Sequence, residues 1–349
     1  MKLLCIDNGL SFNEDLVRNS PLGGSETSLF FLAKGLSETG TNVTLVNNTP
    51  ETESVNGNYT ILSRRLVKQI DTNEFDVILF SRVEPFKTQG KTLNLYYTGD
   101  AYDQPLMRWV LDKQKLTLVD KILCVSEWQM STFNKYLNIP MNKMSVLGNC
   151  IDTESYLGNA KRNKNRYIFA SVPYKGLEFI STIYDHMHRV SKNDELEFVV
   201  YSSMALYNQP DDKYKDVFNG LSIHNGIDVK SPIPPKELAN ELLTSIGYIH
   251  PNSYHETFGM VLVQAQLCGC VPVTTNKGAV TEVIQHGKTG LITDYPNIEN
   301  EECLTQFCEY ALNIESSNIS RDTQIDWCKQ WDYRLMSEKF KELANEISN

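Results

Sequence analysis

The absences in this chain narrow its chemistry first. No apolar run approaches the roughly 20 residues a spanning helix needs; Val77 to Phe80 and Val261 to Val273 are short or interrupted. The start, MKLLCIDNG, reaches Asp7 after only a few apolar residues, so it reads as a first strand and not as a signal-peptide core. The Asn-x-Ser/Thr triplets at Asn42, Asn47, Asn58 and Asn318 are then chance matches. Positive charge is in deficit: 33 Lys and Arg stand against 43 Asp and Glu, a formal net charge of −10. That excludes gripping nucleic acid or anionic membrane as the main task, though a local basic pocket can still hold a phosphate. There is no Cys-x-x-Cys among the eight cysteines, and neither the Cys268/Cys270 nor the Cys303/Cys308 spacing suits zinc. They read as buried thiols of a reducing compartment. Gly-x-Gly-x-x-Gly, Asp-x-Asp, Gly-x-Ser-x-Gly and His-Glu-x-x-His are all missing, which argues against a dinucleotide fingerprint, a metal held by two close carboxylates, a nucleophile elbow and a zincin.

The chain does have strands alternating with helices. Its 349 residues, 41% hydrophobic and 22% charged, suit about two globular domains. Apolar strands are expected at Lys2–Asp7, Asn42–Val46, Asp76–Ser81, Leu93–Tyr97 and Lys121–Val125. Helices are expected at Gly24–Thr39, where Leu29, Leu32, Ala33 and Leu36 share a face, and at Ser126–Leu137, with Ser126 as its cap. A polar stretch at Asn149–Asn165, containing the basic run Lys161–Arg166, reads as a solvated linker. The alternation then restarts. Strands are expected at Tyr167–Ser171, Glu197–Tyr201, Ser222–His224, Gly247–His250 and Val271–Thr275. Helices are expected at Lys175–His188, Pro235–Ser245 and Thr257–Cys268. The tail, Trp327–Ile347, reads as a helix with Trp331, Leu335, Phe340 and Leu343 on one stripe. Such alternation implies an α/β chain of two Rossmann-like halves with parallel sheets, facing across a cleft.

Three segments could carry chemistry, each where a strand end meets a helix start, the usual ligand edge of an open α/β sheet. Pro21-Leu22-Gly23-Gly24-Ser25-Glu26 places two glycines before a helix, where backbone amides can approach an anion. Pro251 to Met260 carries Glu256 and then Phe258, Gly259 and Met260, whose amides open a helix. Gln264 follows Glu256 by eight residues, about two turns down the same face, so the pair could hold the hydroxyls of a ribose or hexose. Ser171 to Gly176 carries Lys175, a counter-charge for a diphosphate. His286-Gly287-Lys288-Thr289 is not a phosphate loop, because Glu282 stands where the earlier glycine is required and a strand follows instead of a helix.

These landmarks, in order over most of the chain, resemble a GT-B glycosyltransferase of the family-4 type: group 1, retaining, nucleotide-sugar dependent. The residues that carry the resemblance are Gly23-Gly24-Ser25-Glu26, Val125-Ser126-Glu127, Asn149-Cys150-Ile151-Asp152, Lys175-Gly176-Leu177 and Pro251 to Asp294. The resemblance implies an acceptor-side domain at 1–154, with a terminal helix near 331–349 packing back on it, and a donor domain at 155–330. It implies that Gly23, Gly24, Phe258, Gly259, Met260 and Lys175 hold the donor diphosphate. Glu256 would contact the donor sugar, Gln264 the ribose, and backbone near Gly226 and Ile227 the base. The donor is a nucleotide sugar, UDP- or GDP-linked, and the acceptor a carbohydrate or other glycan. No metal or further cofactor is implied, nor any nucleic-acid partner. A cytoplasmic location follows, with peripheral membrane attachment left open. The implied chemistry is front-face displacement in which the leaving phosphate helps take the acceptor proton.

Three departures from the family pattern stand out. Gln264 replaces the second Glu. Ala170-Ser171 replaces the Gly-Arg before the lysine, which leaves Arg82 as a substitute cation. Asp100, in Tyr97-Thr98-Gly99-Asp100, stands where a histidine is usual, as a candidate catalytic group beside Glu256 and Lys175. The departures keep two alternatives in view: a catalytically weak nucleotide-sugar binding protein, and a GT-B-type sugar-nucleotide epimerase.

Overall fold

In the computed structural model, which describes residues 1–88 and 91–348, the chain divides into two compact units. The first comprises residues 1–18, 22–152 and 331–349, and the second residues 19–21 and 153–330; Asn349 lies outside the described residues.

The first unit holds an eight-stranded sheet built from β1 (Lys2–Asp7), β2 (Asn42–Asn47), β3 (Glu53–Asn56), β4 (Tyr59–Ser63), β5 (Val77–Ser81), β6 (Leu93–Thr98), β7 (Lys121–Cys124) and β8 (Met144–Val146). Their order is β3-β4-β2-β1-β5-β6-β7-β8. Every pair is parallel except the β3–β4 hairpin. β5 is buried at all its positions, as a strand covered on both faces must be. The chain runs from β1 outward to one side and then returns to β5 on the other, so the loops after β1 and β5 meet at a switch point. The helix Gly24–Glu38 covers one face, and the terminal helix Tyr333–Ser348 lies on it. There Ser337 Oγ donates to the Leu32 carbonyl at 3.3 Å and Tyr333 OH to Glu38 Oε2 at 3.1 Å. A Cβ on Gly35 would sit 2.2 Å from Ser337 Oγ, so that close crossing needs a glycine. The buried stripe is Tyr333, Met336, Ser337, Phe340 and Ala344. The expected stripe through Leu335 is out of phase, and Leu335 is exposed.

The second unit holds a six-stranded parallel sheet of β9 (Asn163–Ala170), β10 (Glu197–Tyr201), β11 (Ile227–Lys230), β12 (Ser245–His250), β13 (Val271–Thr274) and β14 (Leu291–Ile292), in the order β11-β10-β9-β12-β13-β14. Its switch point lies between β9 and β12, bringing together the loops that carry Lys175 and Glu256. Phe169, Ile180, Phe198, Ile249, Val273 and Phe307 pack in its core. Here the structure corrects several expectations. The basic run is not a free linker: β9 begins at Asn163, and Arg166 pairs with Glu197 at 3.0 Å and with Glu241. The strand expected at Ser222–His224 forms at Ile227–Lys230, past a turn. The helix expected from Lys175 starts at Ile180, because Gly176, at φ +107°, breaks the chain into two 3₁₀ turns. The eight cysteines are all buried and unpaired.

Candidate functional site

In the second unit, Lys175 Nζ lies 2.7 Å from Glu256 Oε1. His250 Nε2 approaches the same oxygen at 3.3 Å. Glu256 and His250 are both buried, at 4% and 2% exposure. Burial alone would raise the Glu256 carboxyl, but Lys175 and His250 together outweigh it and hold it at about 2. Burial would likewise lower the Lys175 ammonium, yet Glu256 keeps it above its usual value.

Three glycines in the left-handed region let the surrounding backbone close on this pair. A Cβ on Gly176 would meet the Pro251 carbonyl at 2.3 Å, and one on Gly278 would meet the Glu256 carbonyl, also at 2.3 Å. Gly278 has φ +82°, and beside it Ala279 N donates to the Glu256 carbonyl at 2.7 Å. Gly259, at φ +93°, is the N-cap of the helix Met260–Leu267 and brings no side chain to cap its first amides. The loops are also tied directly, through Ser253 Oγ donating to the Tyr174 carbonyl at 3.0 Å. A fixed carboxylate, an ammonium beside it and a helix start thus converge at the strand ends, a combination suited to a ligand with both hydroxyls and negative charge.

Glu256 itself precedes the helix, bridged to Gly278, so Glu256 and Gln264 do not share a helix face as the spacing suggested. Gln264 Nε2 donates to Tyr156 OH at 2.8 Å. Gly226 and Ile227 are not at this edge. The register Phe198↔Ile227 and Tyr201↔Lys230 puts them at the opposite end of β11, roughly 10 Å from its C-terminal tip at about 3.3 Å per residue. The His286–Thr289 turn is closed by an Ile292 N bond to His286 Nδ1 at 3.0 Å. Sequence reading missed His250. Its place at the last position of β12, next to the Glu256 loop, is the signal that could have found it.

The first unit gathers a second charged group at its own switch point. Arg82, at φ +50°, donates to both Asp7 oxygens at 3.0 Å and also pairs with Glu26. Burial would lower the Arg82 guanidinium, but the two carboxylates hold it above its usual value. The expected role of Arg82 as a diphosphate cation is therefore revised, since its donors face two carboxylates. Gly9 makes room for it, because a Cβ there would lie 2.1 Å from the guanidinium carbon. Burial raises the Asp100 carboxyl above its ordinary value, with Arg82 opposing. Gln129 Nε2 holds the Asp100 carbonyl at 2.7 Å. Gly23 caps the helix Gly24–Glu38 with no side-chain bond, and Ser25 Oγ stands 3.3 Å from where a Gly99 Cβ would be. Gly23, Gly24, Arg82 and Asp100 thus share the strand-end edge of this unit.

Residues 156–302 match the family described as Glycosyl transferases group 1. The phosphatidylinositol N-acetylglucosaminyltransferase GPI3 subunit of Saccharomyces cerevisiae (strain RM11-1a) is 22% identical over 247 residues, 67% of this chain and 52% of the relative. The D-inositol 3-phosphate glycosyltransferase of Corynebacterium glutamicum (strain R) is 19% identical over 222 residues, 59% of this chain and 53% of the relative. The chain thus spans about half the length of these curated relatives. Among solved structures, a glycosyltransferase from Rickettsia africae ESF-5 superposes with a TM-score of 0.71 at 15% identity, covering 99% of this chain and 98% of that one. Anabaena Alr3699/HepE in complex with UDP superposes with a TM-score of 0.69 at 14% identity, covering 99% and 100%.

The two Rossmann-like units are those of the GT-B fold. The segment that matches the group 1 glycosyl transferase family lies in the second unit.

Proposed function

We propose that this chain transfers a sugar from a nucleoside-diphosphate donor to an acceptor hydroxyl with retention of anomeric configuration, as in family 4. The observation that carries the reading is the contact of half-buried Lys175 with buried Glu256, beside the helix start at Gly259. Glu256 is ionised and fixed, so it accepts hydrogen bonds from sugar hydroxyls; Lys175 and the Gly259 and Met260 amides balance the diphosphate that leaves. The bond from the anomeric carbon to the diphosphate oxygen breaks, the bond to the acceptor oxygen forms, and the acceptor proton passes to the leaving phosphate. Gln264 can offer its carbonyl oxygen to a ribose. No metal or further cofactor is part of the scheme. Among the described residues no helix is long and apolar enough to cross a membrane.

Both curated relatives carry inositol in their names, so inositol phosphates head the acceptors to try. The test is a panel of nucleotide sugars with nucleoside diphosphate release as the readout. Donor-dependent release that rises with acceptor supports the reading, and no release with any donor sinks it. The binding-only alternative is favoured by one observation, the commitment of Arg82 to Asp7 and Glu26. Calorimetric donor binding without turnover would select it.

A further inference from the structure

From β4 the chain crosses to β5 without an α-helix: residues 64–76 make only the 3₁₀ turns Arg64–Gln69 and Thr72–Glu74. A parallel crossover ordinarily lays a helix across the sheet face. This thin cover leaves a cavity of about 390 Å³. Its apolar lining is Leu4 and Ile6 from β1, Val67 and Ile70 from the crossover, and Val83 and Phe86 from the segment after β5. Packed interiors hold few voids larger than a water, whereas ligand pockets run to roughly 300–1,000 Å³. The space is of ligand size.

Arg64 and Lys68 also line the cavity, Arg64 half-buried and Lys68 exposed. Among the described residues neither forms an ion pair, in a chain whose formal charge is −10. Phe86 edges onto Phe80 at 5.2 Å and stays 38% exposed, an apolar side chain at the border of the cavity. An apolar enclosure with two unpaired cations is complementary to one kind of molecule, an aliphatic chain ending in an anionic head.

We propose that this cavity binds the hydrocarbon chain of an anionic lipid, with its phosphate held by Arg64 and Lys68. The site is in the first unit, and the proposal deepens the transferase reading by making the acceptor lipid-linked; only that last step rests on the reading. The test is calorimetry of the full chain with palmitoyl lysophosphatidic acid below its critical micelle concentration, run beside a separate UDP titration. Saturable binding is expected, weaker by about tenfold or more for the zwitterionic lysophosphatidylcholine, and absent for inorganic phosphate. Val67→Trp fills the cavity and should abolish lipid binding. The double variant Arg64→Glu/Lys68→Glu, which leaves the core intact, should weaken it by about tenfold or more. UDP binding should be unchanged in both variants. No saturable lipid binding by the wild type overturns the proposal. So do equal binding of the zwitterionic lipid, binding of phosphate alone as tight as that of the lipid, or wild-type affinity in the double variant. Lipid binding without any binding of UDP, or of GDP titrated in the same way, leaves the cavity assigned and removes the transferase reading instead.

Discussion

Lys175 Nζ and His250 Nε2 converge on the single oxygen Oε1 of Glu256, and the electrostatics of the candidate donor site turn on that atom. The Glu256 carboxyl titrates at about 2 in the fold against an ordinary value of 4.5. The folded value is the lower one, so the stabilisation is complete above about pH 4.5 and is lost as pH falls towards 2, on the order of 3 kcal/mol in all. Denaturant melts of Glu256→Gln should therefore show a flatter stability profile than wild type across that window; parallel profiles would contradict the assigned charge state. Lys175→Ala removes the ammonium and should lower transfer by about a hundredfold or more, read as diphosphate release. Arg82→Ala leaves Asp7 and Glu26 buried without their counter-ion and should cost about 3–5 kcal/mol, read as a drop in denaturant midpoint. Lys175 was legible in the sequence because it sits beside Gly176, and Glu256 because it shortly precedes Phe258-Gly259, each at a strand–helix junction. The partners of Arg82 were not, since Asp7 and Glu26 lie 75 and 56 positions away and only the β1–β5 pairing brings Asp7 near. His250 was missed for a different reason: the strand was expected to end there, but nothing in the sequence sets its side chain against Glu256.

The elements explain where pattern reading held and where it slipped. Long buried strands such as β5 and β12, and the helix Gly24–Glu38, announce themselves by continuous or periodic apolar residues. Misplacement came where backbone conformation decided. Gly176 and Gly259 each interrupt a sequence that otherwise reads as helix, so Lys175 and Glu256 stand on turns instead of helix faces. The Ser222–His224 strand slipped to Ile227–Lys230, carrying Gly226 and Ile227 to the far edge of the sheet. Gly278 makes the sharpest prediction at this scale. A side chain there must hold φ +82° and displace the Glu256 backbone. Gly278→Ala should cost at least about 1–2 kcal/mol from the left-handed backbone alone. It should also lower turnover by moving Glu256. A variant with wild-type melting and wild-type kinetics would show that the 278 turn does not position the carboxylate.

At the scale of the whole molecule, the two sheets share one logic: in each, the direction of winding reverses at a central strand, and charged side chains gather at the ends of the strands flanking the reversal. The alternation of strands and helices made two such units foreseeable. The base, the sugar and the acceptor are not written in that alternation. The donor site in the second unit is the central claim, and ligand linkage tests it directly. Thermal melts of wild type and Lys175→Ala with UDP and with GDP should show one nucleotide raising the wild-type midpoint in a concentration-dependent way, and a much smaller rise in the variant. Identical shifts in the two proteins, or none with either nucleotide, would contradict a diphosphate held at Lys175.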